Sequence, residues 1–398
     1  MSGSPTTLGY FKSGDQFYSI RESEDCAKET CLDELEKLNQ WNALKGEYTH
    51  PSSGENVFPF NYGPSSGGMI ESIDFKIYTY GERILSMDAL PMYKKRNIKI
   101  SGNTFGEGLL KIERMNGFHS FSYSTLLCRA IEFESSIQLD PSVIKTRVWL
   151  LEMERITSHI FKIARLCDAA SQNIAAYWLL NLRERMQRLF ATYAGHRYLF
   201  GVNKIGGISR KIDLAKMKGD VEKIVNEFQD LVQGLYSSRI FIDRLDKTCE
   251  TRVDFARGPV IRATKKDYDF RYIDPYYSGI NFKHSTESGS DSLARLLVLV
   301  SEIESSLDII KGEGEFHFDV WKKDDLKGPA VYSIETPSGD ANLCLKTKDS
   351  HIDEIHLFTP SQLNLEAFCR GIVGNVKTDI PFSYESFGIW VSELGGVK

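Results

Sequence analysis

The sequence contains no Cys-x-x-Cys pair, although its 398 residues include seven cysteines. The cysteines stand singly between Cys26 and Cys369, which argues against a disulfide framework and against a zinc site. A reducing cytosolic setting fits this pattern better. Four closely spaced thiolates are also missing, so we expect the chain to carry no iron–sulfur cluster of its own.

The sequence also lacks the marks of several other protein classes. No run approaches the about 18 uncharged apolar residues of a membrane-spanning helix, and no basic flank with an apolar stretch marks a secretory signal. The net charge is −5 and no long basic run is present, which argues against a nucleic-acid partner. With 41% hydrophobic and 26% charged residues, the chain is instead typical of a folded protein with a charged surface.

Apolar residues at helical spacing predict long helices in the middle of the chain. The clearest begins at Pro141, a residue that the first helical turn accepts, and continues through Ile163. Ser290 is a candidate N-terminal cap for another helix. The predicted helices cover residues 141–163, 173–199, 214–231, 290–310 and 363–373.

Short β elements are predicted on either side of these helices. Apolar and polar residues alternate from Ile73 to Tyr78, and Gly81-Glu82 offers a turn, which together indicate a hairpin. Two later strands are predicted over residues 331–334 and 343–346. The sequence therefore predicts an α+β fold that is mainly α, a long-helix bundle core with small β-sheet elements near the N- and C-terminal parts.

The first part of the chain has no clear periodicity. Residues 1–60 are polar and irregular in pattern, with one acidic amphipathic piece around residues 31–44. We interpret residues 1–60 as an N-terminal extension that contacts a partner protein, and residues 61–398 as the folded domain.

A polar stripe runs along the first long helix. Glu152, Arg155 and His159 are spaced i, i+3 and i+7 in an otherwise apolar stretch, so they share one face. The simpler interpretation is a salt-bridged face buried between helices, and the spacing alone favours it. The alternative is a proton or ligand site, because ionisable groups inside a bundle are costly to bury.

Several segments, in order along the chain, carry the motifs of one known family. They are Arg147 to His159 followed by Asp168, Gly206-Gly207 with Asp213, Gly258-Pro259 to Arg295, Glu335 with Pro337 and Gly339, and Thr359-Pro360 to Gly374. They resemble the large-subunit family shared by the 49 kDa quinone-site subunit of respiratory complex I and the membrane-bound energy-converting nickel–iron hydrogenases. The likeness runs from about Gly63 to Glu393, so residues 61–398 are identified as a domain of this type, with the hydrogenase large-subunit fold.

The resemblance also marks residues that the family's hydrogenases need and that this chain lacks. Those hydrogenases bind nickel through two pairs of cysteines, one near the front and one near the end of the chain. The corresponding segments here read Arg114-Met115-Asn116-Gly117-Phe118-His119 and Gly388-Ile389-Trp390-Val391-Ser392-Glu393. Nickel–iron chemistry needs bridging sulfur, so we predict no metal site and no hydrogenase activity, although Asn116, His119 and Glu393 offer ligands to a harder cation.

In complex I-type members the vacated chamber holds a quinone headgroup, with a histidine and a tyrosine as hydrogen-bond donors. This chain has Ser66 at the place of the histidine and Phe105 at the place of the tyrosine. Serine still donates but has no proton to release near neutral pH, and phenylalanine has no hydroxyl. The resemblance therefore implies an acceptor pocket of altered chemistry, made of Ser66, Phe105, Arg114, Asn116 and Trp390.

The resemblance implies that His119, Asp168 and Glu393 are catalytic. His119 replaces a cysteine, which places it close to where a partner's iron–sulfur cluster delivers electrons, and imidazole can supply the proton that reduction requires. Asp168 is the acid that complex I-type members also carry. The alternative for His119 is that it fills the vacated metal space and bonds to Glu393.

The implied function is that of a peripheral-arm subunit of a membrane-bound, complex I-related, redox-driven ion pump. Electrons from a ferredoxin or similar donor would pass through a 4Fe-4S cluster in a neighbouring small subunit to an acceptor, such as a quinone, beside this chain. Glu152, Arg155 and His159 are the candidate coupling residues, since charge changes in the pocket can shift a two-state element. Other peripheral-arm and membrane-arm subunits would hold the chain, which binds no cofactor itself, on the cytoplasmic side of the cell membrane.

Two alternatives stay open at this point. The same scaffold could reduce a non-quinone acceptor such as a sulfur compound, which the missing histidine and tyrosine favour. It could also be a catalytically silent structural subunit that joins soluble and membrane arms. Reduction of quinones, sulfane sulfur and protons by the purified complex would separate these possibilities.

Overall fold

Ten α-helices lie within the part of the chain that the computed structural model describes. That part comprises residues 6–13, 16–23, 28–33, 56–67, 69–91, 93–283, 285–312 and 330–397. The helices are α1 (Phe105–Ile112), α2 (Ser120–Glu134), α3 (Pro141–Ala169), α4 (Asn173–Ala194), α5 (Leu214–Tyr236), α6 (Arg239–Leu245), α7 (Pro259–Arg262), α8 (Ser292–Lys311), α9 (Pro360–Gly371) and α10 (Ile380–Ser386). None of these helices has the length and apolar character to cross a membrane.

Eleven β-strands accompany the helices within the same ranges. They are β1 (Thr6–Ser13), β2 (Gln16–Glu22), β3 (Lys28–Asp33), β4 (Val57–Tyr62), β5 (Asp74–Tyr80), β6 (Arg83–Leu90), β7 (Asn203–Lys204), β8 (Gly207–Ile208), β9 (Val331–Thr336), β10 (Gly339–Lys348) and β11 (His351–Phe358). They form antiparallel sheets in the orders β1-β2-β3, β4-β5-β6, β7-β8 and β9-β10-β11.

Helix α3 is the axis of the fold. Asp140 accepts the N–H of Ser142 at 2.8 Å and Pro141 fills the first helical position, so the helix begins where the sequence predicts. Every residue from Arg147 to Cys167 is buried, because α4, α8 and α10 pack around this helix. The polar stripe predicted on α3 is therefore enclosed by protein.

The other predicted long helices are present with shifted ends. α4 ends before Gly195, whose left-handed backbone (φ 79°) closes the last turn, and does not reach the predicted Leu199. α8 is capped by Asp291, which accepts the N–H of Ala294 at 2.8 Å, in place of the predicted Ser290. α9 also begins before its predicted range.

The predicted hairpin near residue 73 is present as β5 and β6, joined at Gly81 and Glu82. The two strands predicted in the C-terminal part are present as β9 and β10, and β11 completes their sheet without having been predicted. A body of long helices with small antiparallel sheets near both ends confirms the predicted α+β, mainly α fold class.

The N-terminal segment forms a sheet where the sequence pattern indicates irregular structure. Strands β1 to β3 pair with one another, and Leu8, Phe11 and Ile20 on them pack with Cys344 of β10. The irregular interpretation is therefore wrong for the described residues within 6–33. It failed because a peripheral sheet with one face in solvent carries few apolar residues and gives a weak pattern.

The predicted amphipathic piece at residues 31–44 is only partly described. Residues 31–33 belong to β3, and residues 34–44 lie outside the described ranges. Contact of residues 1–60 with a partner stays a prediction.

Two apolar cores meet beside α3. Met115 and Tyr123 belong to the larger core, which α1 to α5, α8 and the β9–β11 sheet enclose. Ile389 and Val391 belong to a second core between β5, β6, α9 and α10. The segment from Met115 to Tyr123 thus belongs to one core and the segment from Ile389 to Val391 to the other, and polar residues of the two segments are in contact.

Candidate functional site

Two segments far apart in sequence meet in the interior at this junction. Nδ1 of His119 lies 2.7 Å from Oε1 of Glu393, and the amide nitrogen of Asn116 lies 2.7 Å from the same oxygen. The Ser361 hydroxyl donates to the other carboxylate oxygen at 2.6 Å. We call these four side chains the His119 cluster, and all of them are buried.

Helix α3 fixes the backbone that carries His119. His119 precedes the first turn of α2 but its side chain does not cap that helix. The carboxylate of Glu154 on α3 caps it instead, accepting the N–H groups of Phe121 at 2.7 Å and Ser122 at 2.9 Å. The position of His119 relative to α3 therefore depends on a contact between two helices.

The charges of the cluster follow from its hydrogen bonds. Burial works against ionisation of Glu393, but His119, Ser361 and Asn116 all donate to it and hold its pKa below the ordinary value. Burial lowers the pKa of His119, and the attraction of Glu393 opposes this shift only in part. We therefore assign a neutral ring that donates from Nδ1 to an ionised Glu393, with Nε2 facing the Ser158 hydroxyl at 3.4 Å.

An aromatic wall closes the cluster on one side. The Trp390 ring stacks on Phe118 at 5.1 Å and on Phe161 at 6.0 Å between centroids, and its edge meets the His119 ring at 5.7 Å. The guanidinium of Arg165 lies 5.3 Å from the centroid of Trp390. The Trp390 indole nitrogen is buried and has no hydrogen-bond partner within the described residues, so it is a free donor beside His119.

A small cleft, with room for about one water molecule, lies next to this wall. Gly117 and Phe118, together with Tyr198 and Leu199 after α4, are among the residues that line it. Phe118 therefore separates the cleft from the His119 cluster. The Trp390 ring lies between Phe118 and His119, since it contacts both the Phe118 ring and the His119 ring.

The polar stripe of α3 enters a second buried cluster, centred on Glu152. This carboxylate accepts from Arg271 at 3.0 Å, from Arg155 at 3.3 Å and from Ser306 at 2.6 Å. Burial raises the pKa of Glu152, but Arg271 and Arg155 outweigh it and hold the pKa below the ordinary value. Glu152 is thus an ionised group fully compensated by arginines.

His159 of the stripe pairs with Glu302 of α8. Its Nε2 lies 2.8 Å from Glu302, and Arg262 donates to the same carboxylate at 2.8 Å. Burial lowers the pKa of His159 to about 3, so the ring is neutral at physiological pH. Arg262 is therefore the principal counter-charge of Glu302, and Arg155 adds a weaker contact at 3.7 Å.

Two further carboxylates complete this cluster. Asp269 pairs with Arg271 at 2.7 Å, and Glu335 accepts from Arg262 at 3.0 Å. Burial raises the pKa of Glu335 to about 7. We call the whole set the central charge network; its members are Glu152, Arg155, His159, Arg262, Asp269, Arg271, Glu302 and Glu335.

The simpler interpretation of the stripe, a salt-bridged face buried between helices, describes its geometry. Arg155 donates to the backbone oxygens of Thr336 at 3.1 Å and Glu335 at 2.9 Å, which joins α3 to β9. Such a buried network is costly to disrupt, since removal of one charge leaves its partner uncompensated. A coupling role for Glu152, Arg155 and His159 stays a prediction.

The remaining predicted site residues are not among the hydrogen-bond and ring contacts described for the His119 cluster. Asp168 is exposed near the end of α3, about 15 Å of helix rise beyond Ser158. Ser66 is half-buried in the loop after β4, Phe105 begins α1 and packs on the larger core, and Arg114 is exposed. The structure brings together Asn116, His119, Trp390 and Glu393. A catalytic role for Asp168 stays a prediction.

Sequence reasoning missed several buried charges of the site. Lys162 continues the α3 stripe three residues after His159, so the helical spacing that identified the stripe also predicts it. Glu302 lies between the apolar residues Leu299 and Ile303 on the buried face of α8. The sequence did contain a signal for Glu302, because a single carboxylate among apolar residues at helical spacing indicates a buried charge.

The donor set of the His119 cluster does not fit a nickel–iron centre. Its donors are an amide, an imidazole, a carboxylate and a hydroxyl, and they are already hydrogen-bonded to one another. Bridging of two soft metals requires thiolates, which none of these groups supplies. Within the described ranges, no three His, Cys, Asp or Glu side chains converge in a way that could hold a metal ion.

Comparison with known proteins adds a family match in the middle of the chain. Residues 171–315 match the model of the respiratory-chain NADH dehydrogenase 49 kDa subunit. An NADH-quinone oxidoreductase subunit of Chloroherpeton thalassium is 24% identical over 373 residues, which cover 82% of this chain and 84% of that protein. The corresponding NADH-quinone oxidoreductase subunit of Solibacter usitatus is 27% identical over 358 residues, covering 83% and 94%.

Similarity extends to a formate hydrogenlyase subunit and to a solved structure. Formate hydrogenlyase subunit 5 of Escherichia coli is 28% identical over 270 residues, and the match covers 64% of this chain but about half (47%) of that subunit. A chain in the structure of the membrane-bound sulfane sulfur reductase, an archaeal respiratory membrane complex, superposes with a TM-score of 0.77 at 22% identity. The superposition covers 87% of this chain and 100% of that one, and it supports the fold.

Proposed function

Because the chain belongs to the family that unites the complex I 49 kDa subunit with hydrogenase large subunits, we propose that it is a peripheral-arm subunit of a membrane-bound, redox-driven ion pump. Its relatives are subunits of oxidoreductase complexes, among them NADH-quinone oxidoreductase. In this proposal the chain and a small iron–sulfur subunit together form the pocket where electrons pass to a quinone-like terminal acceptor. The chain is not a hydrogenase.

One observation carries this proposal: the contact between His119 and Glu393 at 2.7 Å. By the resemblance, these residues stand at the front and end segments that hold nickel in the hydrogenases. Their contact supports the idea that the same chamber is kept in this chain and is lined by nitrogen and oxygen groups. Those groups suit proton transfer and hydrogen bonding, which reduction of an organic or sulfur acceptor needs.

In the proposed reaction, His119 is the proton-transfer group. The partner's 4Fe-4S cluster supplies electrons, and an acceptor that gains electrons also needs protons. The ring of His119 is held between Glu393 and Ser158, so one nitrogen is fixed as a donor to the carboxylate and the other points toward the hydroxyl. Glu393 stabilises the ring in its protonated form and so assists uptake of the next proton.

Entry of an acceptor requires movement of the aromatic wall. Phe118 and Trp390 stand between the cleft and His119, and Arg165 packs against the Trp390 ring. Rotation of Trp390 would open the chamber and bring its indole N–H into reach of an acceptor oxygen. We propose that Trp390 is both the gate and a hydrogen-bond donor of the acceptor site.

The central charge network is the proposed coupling element. It is joined to the His119 cluster through α3, since Ser158 faces His119 while the next residue, His159, contacts Glu302. A change of charge at the cluster alters the electrostatic balance of buried groups one helical turn away. We propose that this change drives a two-state rearrangement that membrane-arm subunits convert into ion movement.

A second candidate function is reduction of a sulfur compound. Ser66 and Phe105, which by the resemblance stand at the quinone-donor positions, lack the imidazole and the phenol. A sulfane sulfur acceptor needs no two-point recognition of carbonyl oxygens, so it does not require those side chains. The fold likeness to a chain of a sulfane sulfur reductase is compatible with this candidate.

The proposal implies partners and a location. The small iron–sulfur subunit would cover the His119 side of the chain, and other peripheral-arm and membrane-arm subunits would attach the chain to the cytoplasmic side of the cell membrane. A ferredoxin or similar donor would supply electrons indirectly. Exposed Asp168, near the end of α3, is a proposed contact or catalytic residue at such an interface.

The test is an acceptor assay on the intact complex. The complex is purified through a tag on this chain, reduced with a ferredoxin, and offered a soluble quinone, sulfane sulfur or protons in separate reactions. Quinone reduction supports the first candidate and sulfane sulfur reduction the second. Hydrogen evolution, or the absence of turnover with every acceptor, overturns the proposed function, and the latter identifies a structural subunit.

A further inference from the structure

Lys162 is a buried ammonium whose hydrogen-bond acceptors are neutral. It stands on α3 and is 2% exposed. Its Nζ donates to the backbone oxygen of Pro337 at 2.7 Å and to the Ser338 hydroxyl at 3.0 Å. Within the described residues no carboxylate comes within ion-pair distance of it, which is unusual because a buried charge is normally paired.

Lys162 lies between the two clusters described above. It follows Ser158 by one helical turn, and Ser158 faces His119. It also follows His159, whose imidazole contacts Glu302. The Ser338 hydroxyl, which accepts from Lys162, donates to the backbone oxygen of Gly388 at 3.1 Å, in the segment that leads to Trp390.

The charged groups around Lys162 come from four elements of the fold. Glu302 of α8 and Glu393 of the C-terminal segment favour its ammonium form, while Arg155 of α3 and Arg262 of α7 disfavour it. In return, Lys162 disfavours a protonated ring at His119 and at His159. Lys162 thus interacts electrostatically with one carboxylate from each cluster, Glu393 and Glu302.

Burial beside neutral acceptors makes the proton of Lys162 labile. Desolvation lowers the pKa of Lys162 to about 7, since the two carboxylates compensate only part of the cost of burial. A small change in the charge of either neighbour therefore changes whether Lys162 carries its proton at physiological pH.

We infer that Lys162 is the buried counter-charge of the His119–Glu393 pair and exchanges a proton in answer to the charge of that pair. The inference rests on the proposed function and deepens it, because it names the group that carries a change at the acceptor site to the central charge network. It concerns a residue that the family motifs quoted above do not include.

The charges balance in both states. In the first, the His119–Glu393 pair has charge −1 and Lys162 has charge +1. When the pair takes up one proton it becomes neutral, and Lys162 releases one proton to water, so the summed charge stays zero. A low-dielectric interior favours this exchange, because an uncompensated buried charge is costly. Glu302 then loses one of its positive neighbours, and the electrostatic balance of the central charge network changes.

The test measures the thermal unfolding of the full-length chain as a function of pH. A lysine with a lowered pKa in the folded state binds fewer protons there than in the unfolded chain, so its contribution to stability falls as the pH drops from about 10.5 to about 7. As the pH falls through this window, wild type should therefore lose Tm relative to Lys162→Met. The matched control is Lys223→Met, at an exposed lysine of α5, which should follow the wild-type profile.

The decisive comparison repeats the series in a Glu393→Gln background. Loss of the carboxylate charge should lower the pKa of Lys162 further. The pH range in which Tm depends on Lys162 should then extend to lower pH, by at least about half a pH unit. An unchanged window in this background, or the absence of any pH-dependent difference between wild type and Lys162→Met, overturns the inference. If Lys162→Met does not fold, Lys162→Gln, which retains a donor for Pro337, replaces it. These results need no turnover, so they are independent of the acceptor assay.

Discussion

At the residue scale, the chemistry of the His119 cluster comes from sharing one carboxylate among several donors. Glu393 accepts from Asn116, His119 and Ser361, and no water is needed to satisfy it. Removal of any donor leaves the buried carboxylate partly uncompensated. Substitutions that keep a donor are therefore the ones that separate chemistry from packing.

The substitution His119→Gln makes this separation. Glutamine has an amide that can donate to Glu393 and fill most of the ring's volume, but it has no proton to release near neutral pH. We expect turnover of the intact complex to fall by about 100-fold, the usual size of a lost acid–base group, with little change in Tm. The control is His351→Gln, at an exposed position in β11, which should leave turnover unchanged. Equal turnover in His119→Gln and wild type would show that the ring only fills space.

The substitution Glu302→Gln tests the central charge network. It leaves Arg262 and Glu335 in place without the carboxylate that both His159 and Arg262 contact. Breaking a buried pair by removing one partner costs about 3–5 kcal/mol, so we expect a loss of this size in the free energy of unfolding from denaturant titration. Glu304→Gln, at an exposed position on the same helix, should cost less than about 0.5 kcal/mol. Similar losses in the two variants would contradict the network's role in stability.

The residues of the site differ in how far the sequence predicts them. The spacing of Glu152, Arg155 and His159 reveals a shared face, since helical geometry alone brings residues three and four apart together. No local rule pairs His159 with Glu302, because that contact joins two helices. The resemblance marked the segments of His119 and Glu393, and a bond between the two residues was one of the alternatives predicted for His119. The shared bonds from Asn116 and Ser361 to the same carboxylate were not predicted, because they depend on the packing of distant segments.

At the element scale, α2 depends on α3 for its beginning. The first turn of a helix exposes N–H groups, and here Glu154 of α3 accepts those of Phe121 and Ser122. The residue before the helix, His119, is left free to bond Glu393. This arrangement links the orientation of the candidate catalytic ring to a helix–helix contact.

The substitution Glu154→Ala should destabilise the first turn of α2. We expect a loss of about 1–2 kcal/mol in the free energy of unfolding, the range for a lost N-terminal cap, together with faster amide exchange at Phe121 and Ser122. The control is Asp168→Asn, at an exposed position of the same helix α3, which should change neither. Unchanged amide exchange in Glu154→Ala would mean that α2 is held by its apolar face alone.

Elements with strong local signals were predicted and those that depend on distant partners were not. The long helices follow from apolar periodicity, although cap chemistry shifted their ends, as at Asp291. Strand β11 and the sheet β1–β3 were missed, because their stability comes from pairing and from cover by another sheet. Phe11, for example, packs against the His356 ring of β11 at 4.8 Å, a contact that no sequence window contains.

At the scale of the whole molecule, the N-terminal sheet is tied to the region behind the central charge network. Lys28 bonds to Asp340 at the start of β10, and Arg257 donates to Glu22 at 2.8 Å. The Tyr268 hydroxyl also donates to Glu22. The sheet thus covers the β9–β10 turn, which carries the oxygens that hold Lys162.

Deletion of residues 1–33 should uncover the face of β10 that this sheet protects. Cys344 is buried in the shared apolar cluster, and burial raises the pKa of its thiol, so it should resist a thiol reagent in the full-length chain. In the truncated chain we expect it to react at least about ten times faster, because it is exposed to solvent. Cys369, buried in the second core, is the internal control and should stay protected in both forms. Equal protection of Cys344 would mean that β9–β11 covers this position without the N-terminal sheet, and reaction of both cysteines would mean that the truncated chain does not fold.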